Sequence, residues 1–99
     1  MTDPTSNMKS IVWFKEQIEP CIKNFEIKYK FFEKGDFGAL NQVEFNSKEK
    51  GGEIDFWSTG WLGVHLVDYT KGEEINVFLE PHQEEEKERV LRRLQELLK

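Results

Sequence analysis

The chain has few of the features that disulfide-linked, secreted or membrane-spanning proteins need. Its single cysteine, Cys21, cannot form an internal disulfide, which predicts a reducing, cytoplasmic compartment. No apolar run approaches the roughly 20 residues of a membrane-spanning helix. The N-terminus has no basic stretch followed by an apolar one, so we expect no secretory signal. These absences predict a protein that works without a membrane.

The chain has fewer basic than acidic residues. The chain has 14 Lys and Arg residues against 19 Asp and Glu residues, a net charge of −5. Nucleic-acid binding requires cations that displace the counterions of the phosphates, so we expect no nucleic-acid partner. An acidic surface favours solubility and a basic partner, and an ordinary acidic surface accounts for the same charge.

Metal-binding and phosphate-binding motifs are missing as well. Cys21, His65 and His82 do not have the spacing of metal ligands. Gly51 and Gly52 lack the neighbouring Lys-Ser/Thr pattern and the following helix of a phosphate-binding loop. We therefore expect neither a metal nor a cofactor.

What the chain does contain indicates one small domain. Its 99 residues suit a single domain, and aromatic residues, 13% of the chain, supply apolar area to a core. Residues 1–7 are mainly polar and offer no apolar anchor. We expect a disordered leader at residues 1–7 and a single α+β domain over residues 8–99.

Apolar residues recur at helical spacing near both ends of the chain. Pro20 ends the first helix near Glu19 or kinks it, because proline cannot complete the hydrogen bonds of a helix interior. The C-terminal stripe predicts a helix over residues 82–99. The first stripe contains Ile11, Phe14, Ile18, Cys21, Ile22 and Phe25, which places Cys21 in the core, and the second contains Val90, Leu91, Leu94, Leu97 and Leu98.

Between the helices, five segments alternate apolar and polar residues as strands do. They lie at residues 25–31, 40–46, 53–58, 61–69 and 74–80, separated by turns at 34–36, 48–52, 58–60 and 70–73. Short turns pair neighbouring strands in chain order. The prediction is a five-stranded antiparallel meander with both helices packed on one face, a two-layer α+β sandwich.

The two faces of this sheet differ in chemistry. One alternating set is apolar and faces the predicted helices: Ile54, Phe56, Leu62, Val64, Leu66, Ile75, Val77 and Leu79. The other set mixes aromatic, acidic and histidine side chains: Glu44, Asp55, Trp57, Trp61, His65, Val67, Tyr69, Asn76 and Phe78. Aromatic residues are enriched at interface hot spots, and carboxylates pair with basic partners. We predict partner binding by Glu44, Asp55, Trp57, Trp61, His65, Tyr69 and Asn76, against the alternative that this face buries its own aromatics or dimerises.

Catalysis has weak support in the sequence. His65 and Asp55 could share a proton from adjacent strands, but no serine or cysteine is spaced to join them as a nucleophile. Ser58 and Thr59 are ordinary turn residues. We therefore expect no enzymatic activity. The lysines of the first strand, Lys28 and Lys30, are interpreted as a guard against aggregation at a sheet edge.

A small, acidic helix–meander–helix chain with the aromatic turn Asp55-Phe-Trp-Ser-Thr-Gly-Trp61 resembles the immunity proteins of bacterial polymorphic-toxin and contact-dependent-inhibition systems. The resemblance implies a non-enzymatic protein that binds a cognate, often basic toxin domain and neutralises it. Two other functions stay open. One is a small-ligand or regulatory domain with an aromatic pocket around Trp57, Trp61 and His65, and the other is a structural homodimer.

Overall fold

The computed structural model describes residues 10–98, so the predicted leader at residues 1–7 lies outside the described residues. The N-terminal helical segment consists of α1 (Ile11–Trp13), a π-helix (Phe14–Ile18) and a 3-10 helix (Glu19–Cys21). The strands are β1 (Glu26–Gly35), β2 (Gly38–Asn46), β3 (Lys50–Trp57), β4 (Leu62–Asp68) and β5 (Gly72–Leu79). The C-terminal helix is α2 (Glu84–Leu98).

The strands form one antiparallel sheet in the order β1-β2-β3-β4-β5, which confirms the predicted meander. Val43 lies opposite Ile54, Ile54 opposite Val64, and Val64 opposite Val77. Because successive strand residues point to opposite faces, this register gathers the aliphatic side chains of four strands on one face.

Both helical segments cover this aliphatic face, which confirms the two-layer sandwich. Phe14 from the N-terminal segment stacks on Phe45 of β2, with 5.7 Å between ring centroids. Leu91 and Leu94 of α2 are fully buried in the same core as Ile54. None of the helices between residues 10 and 98 combines the length and the apolar content needed to cross a membrane.

The prediction that Cys21 lies in the core is wrong, because Cys21 is exposed. Phe14, Ile18 and Ile22, at intervals of four residues, are buried instead, together with Trp13. The segment is not a regular α-helix, because it changes from a π-helix to a 3-10 helix at Glu19 and ends at Cys21, so the α-helical spacing does not carry through to Cys21. The helical segment also passes Pro20, which occupies the first turn of the 3-10 helix, where its missing N–H costs little.

Two glycines predicted to form a turn belong to a strand. Gly51 and Gly52 lie inside β3, and the turn spans Ser47–Glu49, where the Ser47 N–H donates to the Lys50 carbonyl at 2.8 Å. A side chain at Gly52 would collide with the backbone carbonyl of His65 on β4. Glycine is therefore used here for the close approach of two strands.

Strand β1 is far more exposed than the half-buried strand that its alternation predicts. Tyr29 reaches the helical layer, where its ring packs edge-on against Phe14 and its hydroxyl donates to Glu19 at 2.5 Å. Phe31, on the same side of the strand, is 62% exposed. The helices thus cover only the first part of β1, and its second part projects beyond them.

Candidate protein-interaction face

The sheet face turned away from the helices gathers the residues predicted to bind a partner. We call it the open face, because no helix among residues 10–98 packs on it. The strand register places Glu44, Glu53, Asp55, Trp57, His65, Val67, Asn76 and Phe78 there. Trp61 and Tyr69 lie just outside the two ends of β4. All seven predicted partner-binding residues are therefore on or beside one surface.

Four aromatic rings occupy one end of the open face, and we call Phe37, Trp57, Trp61 and Phe78 the aromatic cluster. Trp61 stacks on Phe78 with 5.0 Å between ring centroids and 17° between ring planes. Trp57 meets Phe78 edge-on at 5.3 Å, and Phe37 meets Trp61 at 4.8 Å. Phe37 and Phe78 remain partly exposed, so the cluster presents aromatic surface to solvent.

Turn-to-turn contacts bring the aromatic cluster together. The Ser58 hydroxyl accepts a hydrogen bond from the Ala39 N–H at 3.0 Å, and the Thr59 hydroxyl donates to the Phe37 carbonyl. These bonds fasten the β3–β4 turn to the start of β2. Gly38 has a φ of +99°, and a side chain there would lie 2.5 Å from Ser58 Oγ. Glycine at this position therefore permits the contact that places Phe37 beside the tryptophans.

Carboxylates occupy the middle of the open face, and we call Glu44, Glu53 and Asp55 the acidic row. Glu44 lies directly opposite Glu53 in the β2–β3 register. Glu44 pairs with Lys30 at 2.9 Å, and Asp55 accepts a hydrogen bond from Gln42 at 2.7 Å. Lys28 lies opposite Glu44 in the β1–β2 register. Two lysines thus lie beside three carboxylates, and the row keeps an excess of negative charge.

Burial and mutual repulsion disfavour ionisation in the acidic row. Burial raises the pKa of Glu53, the charges of Asp55 and Glu44 raise it further, and His65 and Lys30 offset part of this rise. Burial also raises the pKa of Asp55, an effect that the Gln42 hydrogen bond opposes and the Glu44 charge reinforces. A cation placed over the row would favour the ionised form of both residues.

The other end of the open face forms a concavity of about 490 Å³, lined by charged, polar and apolar residues. His65 Nε2 lies 3.2 Å from Glu73 Oε2, and Tyr69 donates its hydroxyl to Asn46 across Gly51. A side chain at Gly51 would collide with the Tyr69 hydroxyl, so glycine leaves the space for this bridge. None of the aromatic cluster's residues lines this concavity. The cavity beside Trp57 and Trp61 is smaller, at about 80 Å³.

His65 and Asp55, considered from the sequence as an acid–base pair, each contact a different residue in the structure. His65 contacts Glu73, and Asp55 is held by Gln42. The sequence interpretation did not assign Phe37 to the face, because Phe37 belongs to a turn and reaches it only through contacts between distant hairpins. It also left out Glu53, whose place was available from the alternation that assigned Asp55.

The comparisons with known proteins do not assign a function to this chain. No family model matches the chain, and neither a curated protein nor a solved structure matches it. Over residues 10–98, no group of three or more His, Cys, Asp or Glu side chains is arranged to hold a metal ion. The function is therefore inferred from the side chains of the open face.

Proposed function

We propose that the chain is a non-enzymatic protein-binding module that docks a basic protein surface on its open face. The observation that carries the proposal is that an aromatic surface and an acidic surface lie side by side on the open face. The aromatic cluster lies at one end, and the acidic row begins beside it, since Trp57 and Asp55 are alternate residues of β3. Interfaces combine aromatic anchors with complementary charge in this way.

The acidic row supports a basic partner. Its carboxylates are partly desolvated and repel one another, which costs stability in the free protein. An arginine or lysine of the partner would replace that repulsion with attraction at the moment of binding. Arginine fits such a row especially well, because its planar guanidinium donates to two carboxylate oxygens at once.

The sharpest form of the proposal is neutralisation of a bacterial toxin domain. A toxin domain that acts on nucleic acid needs a basic surface to bind phosphates. An acidic face that covers that surface competes with the substrate for the same cations. This form rests on the family resemblance of the aromatic turn and on the net charge of −5, and it predicts inhibition by occlusion without chemistry on the toxin.

Titration against toxin domains encoded beside this gene tests the proposal. Calorimetry with the purified chain should detect one such domain, and the chain should abolish its activity at equimolar ratio. Trp57→Ala should weaken binding by roughly thirtyfold, the scale of an aromatic anchor worth about 2 kcal/mol. Asp55→Lys should weaken it as well, because it sets a cation against the basic partner.

Glu96→Lys is the matched control for Asp55→Lys. Both substitutions change the net charge by the same amount, but Glu96 is an exposed residue of α2, on the opposite side of the sheet. We expect wild-type affinity for Glu96→Lys. Equal weakening of binding by Asp55→Lys and Glu96→Lys would show that net charge alone causes the effect. Wild-type affinity for both Trp57→Ala and Asp55→Lys would show that the interface lies outside the open face.

A second function, binding of a small cationic ligand, is favoured by the concavity at the Tyr69 end. Its volume of about 490 Å³ lies within the usual range for ligand sites, and Glu44 and Glu53 line it. Thermal melts with free arginine and with spermidine separate the two functions. Stabilisation that Glu53→Gln abolishes and Trp57→Ala leaves intact would support a ligand site at this end of the face.

A further inference from the structure

Strand β1 is a long, open edge of the sheet. It runs from Glu26 to Gly35 and pairs with β2 on one side only, and no strand among residues 10–98 pairs with its other side. Seven large hydrophobic residues of the described chain are exposed, and Tyr29, Phe31 and Phe32 of β1 are three of them. An exposed edge with aromatic side chains is a ready template for another strand.

The opposite edge, β5, is protected against pairing with a copy of itself. It carries Glu73 and Glu74 and is followed by Glu80 and Pro81, so two copies would bring like charges together. A register shift between Leu66 and Val67 also interrupts its ladder with β4. Charge and irregularity are two of the devices that keep edges apart. Strand β1 is charged too, and Lys28 and Lys30 guard it against indiscriminate pairing, but its charges have both signs and can complement a second copy in one register. Its register shift lies only at its far end, between Phe32 and Gly35.

We propose that two copies of this chain pair through β1, antiparallel and centred on Lys30, and so form a symmetric dimer with one continuous sheet. This pairing sets Glu26 opposite the partner's Lys34, Lys28 opposite the partner's Phe32, and Tyr29 opposite the partner's Phe31. Opposite charges, aromatic pairs and lysine over an aromatic ring are each favourable across strands. Twofold symmetry makes every such contact twice.

Charge selects this register over its neighbours. A shift of two residues in one direction sets Lys28 against the partner's Lys30, and a shift in the other sets Lys28 against the partner's Lys34. Each of these registers therefore contains two like-charge pairs. A shift of four residues sets Glu26 against the partner's Lys30, but it pairs only residues 26–30 of each strand.

The one like-charge pair in the proposed register is Lys30 with its symmetry mate. Each Lys30 is already paired with Glu44 of its own chain at 2.9 Å, which offsets the repulsion. The register shift between Phe32 and Gly35 lies at the outer end of the proposed ladder. The long, flexible side chain of Lys34 can still bring its ammonium to the partner's Glu26 carboxylate there. Since paired residues share a face, the two open faces would lie on the same side of the dimer.

A charge swap tests the pairing by sedimentation velocity from about 5 to about 500 µM, a range suited to a small interface. The wild-type mass should rise from one chain toward two. Glu26→Lys and Lys34→Glu should each raise the dissociation constant roughly tenfold, because each turns two attractive pairs into repulsive ones. An equimolar mixture of these two variants should dimerise again, and so should the double variant, because both restore opposite charges.

Glu96→Lys and Lys71→Glu are the charge-matched controls, and both should dimerise as the wild type does. Thermal melts establish that every variant is folded. Three results would overturn the proposal: a wild-type chain that stays monomeric over the whole range, single variants that dimerise as well as the wild type, or a mass that grows beyond two chains. The last would indicate head-to-tail pairing of β1 with β5. The test needs no toxin, so it fails or succeeds independently of the proposed function.

Discussion

Lys87 of α2 donates its ammonium to the backbone carbonyl of Gly60, with 2.6 Å between Nζ and O. The same ammonium donates to the Pro81 carbonyl at 2.9 Å, and the Lys87 side chain is only 4% exposed. A helix in the layer behind the sheet is thereby tied to the turn that leads into Trp61. The aromatic cluster therefore depends on a contact made from the opposite side of the molecule.

Lys87→Met should destabilise the protein by about 1–3 kcal/mol, because it keeps the aliphatic stem but leaves two carbonyls without their charged donor. Urea denaturation measures the loss. Lys71→Met, in the exposed β4–β5 turn, is the control and should change stability by less than about 0.5 kcal/mol. Equal stability of Lys87→Met and the wild type would show that solvent replaces the ammonium at Gly60.

Leu94→Ala tests whether α2 belongs to the core. Leu94 is fully buried, so the truncation should cost about 2–5 kcal/mol through lost transfer energy and the cavity that remains. Arg92→Ala, at an exposed position of the same helix, should cost less than about 0.5 kcal/mol. A thermal melt of Leu94→Ala that matches the wild type would remove α2 from the core.

The sequence predicted those features that depend on neighbouring residues. The alternation around Ile54 and Val64 is local, so the five strands, their order and the aliphatic face of β3 and β4 could be read directly. The exposure of β1 could not, because it depends on how far the helices extend over the sheet. Cys21 was misassigned because a helical stripe assumes α-turns, and the π-helix before it changes the spacing. Lys87 was missed because a lysine in a charged helix reads as exposed, and only the fold brings the Gly60 carbonyl within its reach.

Glu53→Gln should stabilise the free protein at neutral pH. Folding raises the pKa of Glu53, so between pH 4.5, its ordinary value, and the folded value the native state holds more protons than the unfolded state. Stability contributed by this group therefore falls as pH rises through that window. Removing the charge opposite Glu44 should gain roughly 0.5 kcal/mol at pH 7, and the gain should vanish near about pH 3, where carboxyls are protonated in both states.

Glu74→Gln supplies the control of opposite sign. The Glu74 carboxylate lies 3.3 Å from the Lys50 ammonium, so loss of its charge should lower stability at pH 7. Urea denaturation at both pH values measures the two variants side by side. A loss of stability in Glu53→Gln at pH 7 would show that the acidic row is already compensated in the free protein, and it would weaken the case for a basic partner.

Kinetics of complex formation should separate the two halves of the open face. The acidic row acts at long range, so Asp55→Lys should slow association more than Asp55→Asn, and the difference should shrink as salt is added, since the screening length is about 10 Å at 0.1 M. The aromatic cluster acts only on contact, so Trp57→Ala should mainly raise the dissociation rate. Surface plasmon resonance of the three variants at low and high salt gives both rates. A slower association for Trp57→Ala, with Asp55→Lys unchanged, would contradict this division, because it would place the steering charges outside the acidic row.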